Sequence, residues 1–180
     1  MQNELDVLRD ISRRFDGAGL AYMLTGSMAL NYYTQPRMTR DIDMVIVASL
    51  DTIDAFIRMV SPDYYILRQT VADAISRGSI FNIIHLETVV KVDCIVRKST
   101  DYRKTEFARR QRIRIDDFQI WIVSKEDLII SKLDWAKDSH SDFQLRDVRN
   151  LLATGYDAAY LESWTEQLGL SSLLKECLHE

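Results

Sequence analysis

The sequence predicts a mixed α/β fold of the α+β kind: a β-sheet core flanked by helices, with a small helical appendage after it. Three observations carry this expectation. Short β-rich runs alternate with stretches of helical periodicity as far as residue 123. From Ser124 onward the periodicity is helical only. Six glycines and two prolines in 180 residues leave no linker or low-complexity segment. The expected division is a core over residues 1–123 and a C-terminal helical region over residues 124–180.

The elements follow in order. Leu5, Leu8, Ile11 and Phe15 form one helical stripe, stopped by Gly17 and Gly19. Ala21–Leu24 is short and apolar and reads as a buried strand. Gly26 suits a turn, Ser27 a helix cap, and Met28–Tyr33 a short helix that Pro36 breaks. The polar loop 35–40 carries Arg37 and Arg40 into a second strand, Asp41–Val47. Ser49 or Asp51 can cap a helix reaching Val60, and Tyr64–Leu67 suits an edge strand. Val71–Arg77 suits a helix ended by Gly78. Ser79–Leu86 and Thr88–Val96 read as strands that turn at Glu87. A basic stretch, 101–114, reads as a helix and then a strand, followed by another strand at Phe118–Val123. Ser124 with Asp127 three residues on resembles a capping box and opens a long helix. Further helices are expected at Asp142–Ala153, Asp157–Leu168 and Ser171–Leu178.

Composition limits the function classes. A hydrophobic fraction of 47% and a charged fraction of 28% are ordinary for a globular protein. A net charge of -4 gives no global electrostatic case for tight nucleic-acid binding. Cys94 and Cys177 are too few for a disulfide framework, and the chain has no signal peptide or long apolar run. The expectation is a reduced cytoplasmic protein with no membrane partner. His85, His140 and His179 are scattered, without zinc spacing.

Candidate chemistry gathers in residues 24–47, LTGSMALNYYTQPRMTRDIDMVIV. Asp41 and Asp43 form the chain's one Asp-x-Asp. On a strand they point to the same face. Two anions a few ångströms apart are costly unless neutralised, and a divalent cation is the usual partner of hard oxygen ligands. Asp93 stands inside a β-branched run, sharing a face with Lys91 and Ile95. A carboxylate there is expensive to bury, which places it at a site or at the sheet's edge.

Gly26-Ser27, a spacer, Asp41-Ile42-Asp43 and a third aspartate on a later strand together resemble the DNA polymerase β-like nucleotidyltransferase superfamily. Within it, TRDIDMVI, EDLIISKL and RDVRNLL resemble the AbiEii-type nucleotidyltransferases, which include toxins of toxin–antitoxin pairs. The small antibiotic nucleotidyltransferases are close relatives in architecture. The resemblance implies a nucleotidyltransferase-fold core and transfer of NMP from an NTP to a hydroxyl acceptor. That acceptor is an RNA, a protein or a small molecule such as an antibiotic. It also brings an antitoxin protein or RNA into view as a partner.

The chemistry makes demands that these residues can meet. In-line attack on the α-phosphorus builds charge on the phosphoryl and pyrophosphate oxygens, which two Mg²⁺ ions (or Mn²⁺) about 4 Å apart can stabilise. Asp41 and Asp43 are the expected ligands of both ions, and Asp93 completes the set and can take the acceptor's proton. Gly26 allows close backbone approach to a phosphate, and Ser27 offers its hydroxyl and N–H to the β/γ-phosphates. Arg37 or Arg40 can steer the triphosphate. The resemblance gives the same roles to the three aspartates, Gly26 and Ser27, and matches Lys132 to the family's phosphate-facing lysine. It also implies that Asp134, Lys137 and Asp147 complete the site or hold the helices to the core, whereas the run Arg146–Asp147–Arg149 by itself reads as a salt-bridged surface face. A small core with a short appendage can also dimerise to complete its acceptor cleft.

Two other function classes stand beside the enzyme. One is a non-catalytic nucleotidyltransferase-fold module in a toxin–antitoxin or regulatory complex. The other is an RNA-binding protein using residues 103–114, a stretch that reads more readily as a solvated helix and strand.

Overall fold

A computed structural model describes residues 2–139 and 141–179, so His140 lies outside the described residues. The elements run α1 (Gln2–Gly17), β1 (Tyr22–Thr25), α2 (Gly26–Tyr33), β2 (Asp41–Ile46), α3 (Ile53–Val60), β3 (Tyr64–Tyr65), α4 (Arg68–Arg77), β4 (Ile80–His85) and β5 (Lys91–Val96). Then come α5 (Asp101–Ala108), β6 (Gln111–Ile115), β7 (Phe118–Ile122), α6 (Lys125–Ser139), α7 (Asp142–Leu152), α8 (Ala158–Gln167) and α9 (Ser171–His179). Among the described residues the strands form one seven-stranded mixed sheet, ordered β3-β4-β5-β2-β1-β7-β6. The pairs β2–β5 and β1–β7 are parallel, and the others are antiparallel.

Strand alternation decides which face holds the core and which is open. Ile42, Met44 and Ile46 of β2, with Val92, Cys94 and Val96 of β5, are all buried. α1 and α3 close that face through ring contacts of Phe15 with Tyr22 (5.4 Å between centroids) and Phe56 with Phe81 (5.5 Å). Burying each such side chain contributes about 1.5–3 kcal/mol relative to exposure. The intervening residues Asp41, Asp43, Lys91, Asp93, Ile80 and Asn82 face the other way and are exposed or half-buried. α6 packs against α2, α7 and α8 on the site's side of the molecule. Among the described residues no helix is long and apolar enough to cross a membrane.

Several local expectations change. Thr25, not Ser27, is the N-cap of α2, and Ser27 lies inside the helix. The edge strand shrinks to Tyr64–Tyr65 because α4 begins at Arg68, a turn earlier than its apolar stripe suggests. The Ser124 hydroxyl accepts from the Asp127 N–H (3.2 Å), the half of a capping box its spacing predicts, and donates to the Asp127 carboxylate (2.6 Å). The basic stretch is partly tied into the fold, although Lys104 and Arg114 are exposed. Arg103 reaches Glu106 (3.0 Å), Ser131 (2.8 Å) and Asp134 (2.9 Å). Arg109 reaches Asp127 (3.1 Å), and Arg112 makes a two-pronged pair with Asp16 (3.0 and 2.9 Å). These three arginines tie α5 and β6 to α6 and α1.

Candidate active site

Register builds the site. Asp43 of β2 lies opposite Thr25 of β1 and Asp93 of β5, and Asp93 lies opposite Asn82 of β4. One residue pair along, Asp41 lies opposite Lys91. Register partners share a face, so three aspartates, one lysine and one asparagine stand together on the half-open side of the sheet. Lys91 Nζ is 3.0 Å from Asp93 Oδ2 and 3.6 Å from Asp41 Oδ1, and Asn82 Nδ2 donates to Asp93 Oδ1. The side chain of Asp41 is 57% exposed and that of Asp93 17%.

Gly26 has a more local task than its place in the motif suggested. Its φ is +64°, in the left-handed region, and a β-carbon there would lie 2.0 Å from Asp43 Oδ2. The turn must lack a side chain so that Asp43 can lie against it. The Ser27 N–H, expected to serve a phosphate, acts instead on Asp43 and favours its charged form. Burial first, then the charges of Asp93 and Asp41, push the Asp43 carboxyl up to about 6, while the Ser27 N–H and Lys132 oppose the rise. Asp43 is thus a carboxylate short of positive charge.

A cationic wall faces these carboxylates from the helices. Lys132 of α6 is buried, with Nζ 2.8 Å from Asp147 Oδ2 and 3.1 Å from Gln144 Oε1 on α7. Arg37 Nη2 reaches the same Asp147 oxygen at 3.0 Å and donates to Ser27 Oγ at 2.9 Å. Its guanidinium stacks over the Phe143 ring at 4.3 Å, and its backbone is clamped in both directions by the Asn31 amide (2.8 and 3.0 Å). Burial pulls the Lys132 ammonium below the ordinary lysine range, and the pair with Asp147 opposes that fall. Asp147 is therefore not a surface residue: it is buried, and one of its oxygens accepts from two cations, one on α6 and one in the loop before β2.

Between sheet and helices lies a cleft of ≈ 220 Å³ lined by Gly26, Ser27, Asp43, Asp93 and Lys132, with Gln144 and Ser131. Thr25 and an apolar wall of Ile80, Ile95, Leu128 and the largely exposed Trp135 complete it. The fold thus brings Gly26, Ser27, Asp43, Asp93 and Lys132 to one cleft; Asp41 is outside its lining and is linked to Asp93 through Lys91. Neither Arg37 nor Arg40 lines the cleft: Arg40 is exposed, whereas Arg37 is half-buried and locked beside Ser27. Asp134 pairs with Arg103, and Lys137 donates to the Leu168 carbonyl (3.3 Å), so both hold helices rather than face the cleft. Sequence reasoning had no role for Asn82, Gln144 or Trp135, which neighbour the aspartates and Lys132 only in three dimensions.

The donor set suits a hard divalent cation in kind: three carboxylates on one face, one of them short of countercharge. It is not a ready-made cage, because among the described residues no three acid, histidine or cysteine side chains converge closely enough to hold an ion as they stand.

No protein-family model matches the chain, and no curated protein matches it in sequence. Solved structures do match in shape. The antibiotic-resistance factor ANT(2")-Ia, in complex with adenylyl-2"-tobramycin, matches at TM-score 0.59 and 12% identity, over 98% of this chain and 99% of that one. The lincosamide antibiotic adenylyltransferase LnuA, lincomycin-bound, matches at TM-score 0.54 and 16% identity, over 86% of this chain and 98% of that one. An antigenic nucleotidyltransferase-like protein from Paracoccidioides brasiliensis matches at TM-score 0.56 and 17% identity, over 96% of this chain and 93% of that one. These neighbours bear on the broader resemblance and not on the AbiEii-type one. At such identities the likeness is one of architecture, and by that architecture the chain carries the nucleotidyltransferase fold.

Proposed function

We propose that the protein is a metal-dependent nucleotidyltransferase that moves NMP from an NTP to a hydroxyl acceptor. The observation that carries this reading is the opposition of two charge sets across one cleft. Asp43 and Asp93, with Asp41 beside them, stand on the sheet side, and Lys132 and Ser27 line the helical side, with Arg37 behind them bonded to Ser27 and Asp147.

Asp41, Asp43 and Asp93 would hold the divalent cations, which when bound supply Lewis-acid neutralisation of the phosphoryl and pyrophosphate oxygens. Lys132 and Arg37 bind and orient the triphosphate, with the Ser27 hydroxyl between them and the carboxylates. Asp93 accepts the proton as the acceptor oxygen attacks the α-phosphorus. The new P–O bond forms, the α–β phosphoanhydride bond breaks, and pyrophosphate leaves toward the cationic wall. Asp147 acts through Lys132 and Arg37 and is a positioning residue.

The apolar wall of Ile80, Ile95, Leu128 and Trp135 favours an acceptor with an uncharged face, such as a small antibiotic-like molecule. Transfer to an RNA 3′ end or to a protein, the reactions a toxin would use, are competing outcomes of one screen. Each of the four NTPs, labelled at the α-phosphorus, is incubated with Mg²⁺ and total RNA, cell extract, aminoglycosides or lincosamides. The reading expects label on one acceptor class, lost in Asp43→Asn. No NTP consumption by the parent on any acceptor would sink it.

A further inference from the structure

Lys91 is held among the carboxylates by strand register. It precedes Asp93 by two residues on β5, and its partner on β2 is Asp41. Its side chain therefore rises on the same face as all three aspartates. The ammonium pairs with Asp93 Oδ2 at 3.0 Å and lies 3.6 Å from Asp41 Oδ1. The other oxygen of Asp93 accepts from the Asn82 amide, which register also fixes. Both oxygens of Asp93 are thus engaged within the protein. A divalent cation can gain Asp93 only if one partner gives way. Asn82 is short, whereas Lys91 has a flexible four-carbon stem and is already 39% exposed.

We infer that Lys91 is a positioning residue that stands in for the cation in the unloaded site and competes with it for Asp93 and Asp41. This rests on the nucleotidyltransferase reading. Without a nearby countercharge three aspartates on one sheet face repel one another. Lys91 relieves that repulsion and keeps Asp41 and Asp93 in place. A cation then has to displace an ammonium, so free metal binds weakly. Metal arriving with a triphosphate has the help of Lys132 and Arg37 across the cleft. Loading is thereby coupled to nucleotide.

The test titrates Mn²⁺ alone, without nucleotide, into the full chain and into Lys91→Met, Lys91→Arg and Asp43→Asn, read by calorimetry and by the Mn²⁺ spin-resonance signal. Lys91→Met should bind Mn²⁺ about three- to tenfold more tightly, the size expected for removing a partly screened competing charge. Lys91→Arg, which keeps the charge, should stay within about twofold of the parent. In chelator, Lys91→Met should also melt below the parent, and saturating Mn²⁺ should narrow that gap. Lys91→Gln serves in its place if the Met variant does not fold. Parent-like or weaker Mn²⁺ binding by both neutral variants overturns the inference while leaving the enzyme reading intact. Failure of the parent and of both neutral variants to bind Mn²⁺ any better than Asp43→Asn, alone and again with an NTP present, overturns both.

Discussion

A β-carbon on Gly26 would sit 2.0 Å from Asp43 Oδ2 and 2.9 Å from Asp43 Cβ. The contact explains why a glycine stands where β1 turns into α2: the carboxylate at the centre of the cleft fills the space a side chain would take. Gly26→Ala faces two costs. The left-handed backbone costs roughly 1–2 kcal/mol for any residue with a β-carbon, and the clash adds to it. Because β2 is locked between β1 and β5, Asp43 cannot retreat without disturbing both pairings. The melting temperature should fall by about 5 °C or more, with metal-dependent NTP binding lost. Parent-like melting and binding would show that Asp43 does not need this contact.

Asp43 should make the metal-free protein less stable as pH rises. Its folded value, about 6, lies above its ordinary 3.8. A raised folded value means that the folded state holds the proton more tightly. The stability this confers is complete below 3.8 and is lost as pH climbs through about 6. The loss is on the order of 2–3 kcal/mol. Denaturant unfolding in chelator should show Asp43→Asn gaining on the parent between about pH 4 and pH 7, and saturating Mg²⁺ should remove most of the difference. A parent and variant separated by the same amount at every pH would refute the assignment.

Asp147 should be costly to remove and partly recoverable. Asp147→Ala strips the buried Lys132 of its carboxylate and frees Arg37 from the helices. Leaving a buried cation without its partner costs about 3–5 kcal/mol. Adding Lys132→Met to Asp147→Ala takes away the stranded charge and should restore a large part of that stability. Chemical denaturation of the parent, both single variants and the double variant checks this; strictly additive losses would mean that the two residues do not act as a pair.

Some of this was legible in one sequence. Strand alternation places Asp41 and Asp43 on one face whatever the rest of the chain does, and Asp93 is conspicuous inside a β-branched run. The sheet-plus-helices architecture follows from the change of period at Ser124. What pairing decides was out of reach. Lys91 could be placed on Asp93's face, but that it meets Asp41 depends on β2 lying parallel to β5, a contact between segments fifty residues apart. Gly26 was read for its freedom to approach a phosphate, because nothing local says that Asp43 fills its space. The reading of Asp147 was led astray by its arginine neighbours. Gln144, Asp147, Val148 and Leu151 have i, i+3, i+4, i+7 spacing, and that stripe was the signal that Asp147 faces inward. Arg37 and Arg40 stand in a loop without periodicity, and only the Asn31 clamp on Arg37 separates them.

That separation gives a direct comparison. Arg37 is bonded to the cleft-lining Ser27 and to Asp147, whereas Arg40 is exposed. Arg37→Met should weaken triphosphate binding by about tenfold or more, the loss expected of a charge-assisted contact to phosphate. Arg40→Met should have a much smaller effect. Equilibrium binding of a fluorescent NTP with Mg²⁺ measures both, and equal losses would contradict the placement of Arg37.

The central claim is that the aspartates and the cationic wall form one nucleotide site that works through a divalent metal. Calorimetric titration of each NTP into the parent and into Asp43→Asn, with Mg²⁺ and then with chelator, tests it most directly. The account predicts saturable binding of at least one NTP by the parent only when Mg²⁺ is present, and its loss in Asp43→Asn. Binding that is absent under every condition, or that is indifferent to both Mg²⁺ and Asp43, would contradict it.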